Sequence, residues 1–104
     1  MVRTMTFEKM IERINDNRYP FIDHSFENIT IRYFNKKYPK YLFKWHYDEE
    51  NRIVEVLNET DWKFQFDNKI PIILSKGQQV KIPKGAIHRV IPGCKPLTVK
   101  IIKK

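Results

Sequence analysis

The chain has 104 residues, of which 41% are apolar and 31% charged, and this balance predicts one folded domain over residues 1–104 rather than a disordered chain. A lone cysteine, Cys94, excludes an intramolecular disulfide and is typical of a reducing compartment. The chain has no apolar run of about 18 residues, and its first residues lack the apolar core of a secretory signal. We therefore expect a cytoplasmic protein without a membrane partner.

The net charge of +8 is unevenly distributed along the chain. Residues 1–44 carry nine basic and five acidic side chains, residues 45–67 carry two and seven, and residues 68–104 carry nine and none. A basic surface attracts nucleic acids and other polyanions, but the chain has no motif that interleaves basic and aromatic residues for RNA binding. A solvated, lysine-rich surface is therefore the favoured interpretation, and a nucleic-acid partner is the less favoured one.

The first predicted element is a helix over about residues 6–15. Phe7, Met10, Ile11 and Ile14 recur at helical spacing and share one face. The helix must end before Pro20, because the residue that precedes a proline is driven out of helical geometry. We expect this helix to pack on the sheet that follows it.

The chain from about residue 28 to 102 predicts short strands separated by turns. The predicted strands cover 28–34, 41–47, 52–57, 62–67, 70–74, 80–82, 88–91 and 97–102. Pro71 interrupts one of them and marks it as an edge strand. This number of short strands at regular spacing favours an antiparallel sandwich or barrel.

The predicted strand 41–47 is unusually rich in aromatic residues. Tyr41, Phe43, Trp45 and Tyr47 alternate, so they are predicted to share one face. Such a face needs cover, either from the N-terminal helix or from a second subunit. Because aromatic residues are enriched at the cores of protein interfaces, we favour a homodimer formed through this face.

A turn-rich stretch in the second half resembles a known motif. It has a glycine, five residues, Pro-x-Gly, two residues and a histidine, which are Gly77, Pro83, Gly85 and His88. This pattern resembles the second motif of the cupin superfamily. The first cupin motif is matched only in part, with His46 at its first position, Asp48 in place of a second histidine, Arg52 in place of a glutamate and Glu59 in place of a glycine. The resemblance implies a small antiparallel cupin-type β-barrel, or jelly roll, which follows the N-terminal helix.

The resemblance also brings three candidate metal ligands together. His46 and Asp48 are two residues apart on a predicted strand, so their side chains leave the same face, and on a cupin-like barrel His88 reaches the same interior. Two imidazoles and one carboxylate suit Fe(II), Mn(II), Ni(II) or Zn(II), and no organic cofactor is indicated. The alternative is that His46 is an interior histidine with satisfied hydrogen bonds and that Asp48 merely begins a turn.

Two basic residues near these ligands are candidates for binding an anion. An inward-facing Arg52 would repel a divalent cation, yet it could pair with Asp48 or hold an anionic ligand with two hydrogen bonds. Lys44 lies on the same predicted face as His46 and is the second candidate. Glu55 is interpreted as solvent-facing, with the role of fourth ligand or general base as the less favoured alternative. His24 is interpreted as a surface loop residue.

The predicted function is therefore the binding of a divalent metal and a small anionic ligand inside the barrel. If the protein is an enzyme, dioxygenase or isomerase chemistry is expected, with the metal as a Lewis acid. The alternative is a metal-free cupin scaffold that binds a protein or nucleic-acid partner through its basic surface.

Overall fold

The computed structural model describes residues 18–40 and 43–104. The described strands are β1 (Phe21–Phe26), β2 (Ile29–Phe34), β3 (Arg52–Val56), β4 (Lys63–Phe66), β5 (Ile72–Ile73), β6 (Gln79–Ile82), β7 (His88–Ile91) and β8 (Leu97–Lys103). The helix predicted over 6–15 lies outside the described residues. Within the described part, no helix has the length and apolarity that a bilayer crossing requires.

The strands form two antiparallel sheets. The larger sheet has the order β1-β2-β8-β3-β6 and the smaller one the order β5-β4-β7. Alternation along β8 sends Leu97, Val99 and Ile101 into the space between the sheets. They meet Trp62 and Phe64 from the opposite layer in one hydrophobic cluster. The all-β prediction is thus confirmed, and the core lies where two alternating apolar faces meet.

The cupin-type β-barrel, or jelly roll, predicted from the sequence is found only as two antiparallel sheets, and the sheet is not closed. In the described ranges, no ladder of backbone hydrogen bonds joins the larger sheet to the smaller one. The smaller sheet has three strands of two to four residues. The predicted strand 41–47 extends it by a single bridge, between His46 and His88. The N–H of Phe43 instead donates a hydrogen bond to the Lys40 carbonyl at 3.2 Å.

Strand β1 was not predicted, since the polar run Asp23-His24-Ser25 resembles a loop. It pairs with β2 over its whole length. Arg32 of β2 donates two hydrogen bonds to the Asp23 carboxylate, at 2.8 and 2.9 Å. The ring of His24, interpreted as a loop residue, is half-buried and meets the Tyr33 ring edge-on at 5.9 Å. Cross-strand pairs of this kind stabilise a strand whose own residues are poor strand formers.

The loop before β8 is clamped onto the residue that precedes Trp62. Asp61 accepts hydrogen bonds from the backbone N–H groups of Cys94 and Lys95, both at 2.9 Å. These two bonds, the Cys94 bond first, hold the pKa of Asp61 below its usual value. Trp62 Nε1 donates to the Lys95 carbonyl at 2.7 Å, so the loop is fixed from both sides.

Gly93 lies where this loop passes closest to Asp61. A Cβ atom at this position would collide with the Asp61 carboxylate and would lie 2.8 Å from the Asp61 carbonyl carbon. We therefore expect Gly93→Ala to lower the free energy of unfolding by about 1–3 kcal/mol, the usual cost of overpacking, as measured by urea denaturation. The same substitution should cost less in an Asp61→Ala background. An unchanged midpoint for Gly93→Ala would contradict this account of the loop.

Candidate metal centre

The turn between β6 and β7 positions two of the three candidate ligands. Gly85 has a φ of +81°, a conformation that residues with a Cβ atom rarely adopt. In this conformation its N–H donates to the backbone carbonyl of Asp48 at 3.0 Å. The chain then enters β7 at His88, so the glycine of the second motif fixes the loop that bears Asp48 next to the strand that bears His88.

His46, Asp48 and His88 form one group of side chains. One ligand atom from each can be chosen so that all lie within 4.8 Å of one another. A backbone bridge joins the two histidines, with N–H to carbonyl distances of 3.0 and 2.9 Å, and their ring centroids lie 4.3 Å apart. Asp48 and His88 are buried, whereas His46 is exposed. The group therefore lies between the interior and the solvent.

Both imidazoles are oriented by backbone carbonyl groups. His88 Nδ1 lies 2.8 Å from the Ala86 oxygen, and His46 Nδ1 lies 3.1 Å from the Lys44 oxygen. Because a carbonyl oxygen only accepts, we assign a proton to Nδ1 of each ring. The Nε2 lone pairs are then free, and a second nitrogen held by a carbonyl is the usual arrangement of metal-binding histidines.

Within this group, the Nε2 atom of His88 faces the Oδ2 atom of Asp48, and both atoms are hydrogen-bond acceptors. Burial lowers the pKa of His88, with His46 acting in the same direction, against the opposing effects of the Ala86 hydrogen bond and Asp48. The ring is therefore neutral at neutral pH, and its Nε2 lies 3.4 Å from Asp48 Oδ2. That buried oxygen makes no hydrogen bond to any residue that the structure describes. Two acceptors without a proton between them repel each other, and a buried orphan oxygen is costly.

Arg52 engages the other oxygen of Asp48. Its Nη1 lies 3.3 Å from Asp48 Oδ1, while Nε and Nη2 donate to Glu50 Oε1 at 3.0 and 2.9 Å. The predicted pairing of Arg52 with Asp48 is therefore present. All three guanidinium nitrogens face protein carboxylates, and this arrangement orients Asp48 so that Oδ2 points towards His88.

A cavity of about 420 Å³ opens beside this group. Its lining includes all five residues that the sequence put forward as metal-binding or anion-binding, namely Lys44, His46, Asp48, Arg52 and His88. The remaining wall comes mostly from the apolar core between the two sheets. A concave apolar space with a few convergent polar groups is the usual form of a ligand site.

The donor set fits a divalent metal ion. Two imidazole nitrogens and one carboxylate oxygen suit Fe, Mn, Ni or Zn, and a cation between His88 and Asp48 would remove the repulsion between their acceptor atoms. Ligand atoms around a tetrahedrally coordinated ion lie about 3.4 Å apart, and His88 Nε2 and Asp48 Oδ2 are already 3.4 Å apart. Small side-chain rotations would bring the three atoms to that separation, and the exposed ring of His46 is free to make one.

The solved structures that resemble this chain decide the fold. A cupin-2 domain-containing protein from Shewanella frigidimarina NCIMB 400 superposes with a TM-score of 0.59 at 17% identity, over 95% of this chain and 92% of that one. The chain of 104 residues therefore has a cupin fold. The DMSP lyase DddQ from Ruegeria pomeroyi DSS-3 matches this chain with a TM-score of 0.67 at 15% identity, over 99% of its length.

A third solved structure is that of FeII HppE, which has a TM-score of 0.59 at 14% identity over 73% of this chain. The chain spans 56% of DddQ and 41% of HppE. No protein-family model and no curated protein matches the chain. The likeness to known proteins therefore rests on the fold.

The structure also tests the predictions for the aromatic face of residues 41–47 and for Glu55. Phe43 packs towards the core beside Phe34 and Trp62, so it does not share a face with the exposed Trp45 and Tyr47. Tyr41 lies outside the described residues, and the homodimer stays a prediction. Glu55 receives a hydrogen bond from Gln79 at 3.4 Å, and it is not among the residues that line the cavity.

Sequence reasoning missed one part of the cavity wall. Arg32 lines the cavity, with its guanidinium 3.6 Å from the centre of the Phe21 ring and its charge paired with Asp23. The alternation of Thr30, Arg32 and Phe34 along β2 could have predicted an inward arginine. Its partners could not be predicted, because β1 was mistaken for a loop.

Proposed function

We propose that this cupin binds a divalent metal ion through His46, Asp48 and His88 and holds a small anionic ligand beside it. The observation that carries the proposal is the buried Asp48 Oδ2, which has no hydrogen-bond partner in residues 18–40 and 43–104. It lies 3.4 Å from Nε2 of a neutral His88. Two buried acceptor atoms that face each other lower the stability of the folded state, and a cation bound between them would remove this free-energy penalty. One structural neighbour, FeII HppE, is an iron(II) protein and supports the proposal.

Each residue has a distinct task in this proposal. The Ala86 and Lys44 carbonyls orient the two imidazole rings so that each Nε2 is free. Arg52 orients the Asp48 carboxylate by its contact with Oδ1. Lys44 lines the cavity, and its ammonium has no ion-pair partner among the described residues. It is therefore the cation that we assign to the anionic ligand, in preference to Arg52, whose nitrogens already face Asp48 and Glu50.

The chemistry that a bound ion supplies is Lewis-acid polarisation of a ligand oxygen, and we propose a dioxygenase or isomerase reaction on this basis. The apolar walls of the cavity would exclude water from the anion and strengthen its interaction with Lys44. His46, on the open side, is the ligand nearest to solvent, so exchange of metal and ligand would take place past its ring.

Substitution with Co²⁺ tests both halves of the proposal, because its visible absorption reports the number and type of ligands. We expect one equivalent of Co²⁺ to give a spectrum distinct from that of the free ion, and acetate to alter this spectrum. A Co²⁺ spectrum identical to that of the free ion would contradict metal binding. A protein-bound spectrum that acetate leaves unchanged would contradict the anion site alone.

A further inference from the structure

The composition of the cavity wall restricts the kind of ligand that it can hold. Of its twenty lining residues, thirteen have purely apolar side chains, six are charged or imidazole side chains, and the last is Tyr38. None of these described residues is Ser, Thr, Asn or Gln. Among these described residues only Tyr38 offers a neutral hydroxyl group to a ligand, and a buried ligand hydroxyl without a partner is costly.

The charged lining residues leave a single cation unpaired. Arg32 makes two hydrogen bonds to Asp23, and Arg52 faces Asp48 and Glu50. Lys44 has no such partner in the described parts of the chain. One unpaired ammonium group beside one proposed metal site matches a ligand with a single anionic group rather than a ligand with several.

The apolar residues of the cavity wall lie deeper in the protein than Lys44 and His46. Val80, Ile82, Val99 and Ile101 of the larger sheet are buried and line the cavity, and Phe64 faces them from the smaller sheet. Lys44 and His46 are exposed. A ligand that places its head group at Lys44 and the metal must therefore place its body against aliphatic and aromatic side chains.

We infer that the ligand of this site is a small monocarboxylate with an apolar body, such as a short aliphatic or aromatic acid, and not a sugar or sugar phosphate. This inference rests on the proposed metal and anion site and names the class of molecule that it binds. A cavity of about 420 Å³ lies at the small end of ligand sites and accommodates an acid of about six to ten carbon atoms. Burial of the apolar part of the ligand contributes to the binding free energy. The charge-assisted contacts of the carboxylate fix the orientation of the ligand.

Three six-carbon probes separate the contributions of body and head group. Hexanoate and gluconate share a carboxylate and differ in five hydroxyl groups, whereas 1-hexanol has the body of hexanoate without the charge. We expect calorimetric titration of the full chain, loaded with one equivalent of Zn²⁺, to show hexanoate binding at least about tenfold more tightly than either of the other two. Gluconate or 1-hexanol binding as tightly as hexanoate would overturn the inference.

Two variants localise the binding. Lys44→Ala should weaken hexanoate about three- to tenfold, while Lys44→Arg should retain most of the affinity. The matched control is Lys81→Ala, which removes an exposed lysine outside the cavity lining and should change nothing. Val54→Phe should fill the cavity and reduce hexanoate binding while Zn²⁺ still binds, and retained Zn²⁺ binding shows that the variant is folded.

The outcomes distinguish this inference from the proposed function. Zn²⁺ binding with no hexanoate binding would overturn the ligand class and leave the metal site intact. Failure to bind Zn²⁺ would overturn the proposed function, and the inference with it. Equal hexanoate affinity in Lys44→Ala and the wild type would show that the carboxylate lies elsewhere.

Discussion

Replacing His88 by alanine should weaken the binding of a divalent metal by about 100-fold or more. Even residues that only orient metal ligands typically contribute 10–100-fold to affinity, and His88 supplies a buried ligand atom itself. Equilibrium dialysis of the full chain against Zn²⁺ or Mn²⁺, followed by elemental analysis, measures this loss. His46→Ala should have a similar effect, and because His46 is exposed, this variant should keep its fold.

A matched control exists among the three histidines of the chain. His24 lies on β1, where its ring meets Tyr33 rather than the metal group. His24→Ala should therefore bind metal as the wild type does. Equal metal binding in wild type and His88→Ala, or equal losses in the His24 and His88 variants, would contradict the assigned ligand set.

Replacing Trp62 by alanine should lower the free energy of unfolding by about 3–5 kcal/mol, the range for a large aromatic residue removed from a core. Trp62 is completely buried. Its ring packs against Phe34 and Phe43 at centroid distances of 5.4 and 5.5 Å, and its Nε1 donates to the Lys95 carbonyl. Such a loss is a large fraction of the 5–15 kcal/mol typical of a folded protein.

The second tryptophan provides the control for this substitution. Trp45 is 41% exposed and contacts the guanidinium of Arg89, which lies 4.3 Å from its ring centre. Trp45→Ala should therefore cost about 1 kcal/mol or less. Urea denaturation followed by circular dichroism compares the two variants with the wild type. Equal losses for both would contradict the assignment of Trp62 to the core and of Trp45 to the surface.

Much of the fold could be predicted because strands and turns leave local signals. Alternation defined β2, β3, β4, β7 and β8 to within one or two residues, and glycine and proline marked the turns between them. The closure of the barrel could not be predicted, because it depends on hydrogen bonds between distant edges. Strand β1 was missed because its stability comes from partners on β2, such as Arg32 for Asp23, and not from its own strand propensity.

The site shows the same division between local and tertiary information. The spacing of His46 and Asp48 predicted that they share a face, the resemblance to the cupin motifs added His88, and the structure brings ligand atoms of all three within 4.8 Å. The state of each group depends on neighbours that spacing does not reveal. The carbonyls that hold the imidazoles, the commitment of Arg52 to Asp48 and Glu50, and the apolar cavity wall all arise from packing.

The ligand set is tested most directly by X-ray absorption at the zinc edge of the full chain, loaded with one equivalent of Zn²⁺. The account predicts a first shell that contains two imidazole rings and one carboxylate oxygen, from His46, His88 and Asp48. The His88→Ala variant should then show one imidazole fewer. A wild-type shell made only of oxygen atoms, without an imidazole contribution, would contradict the central claim.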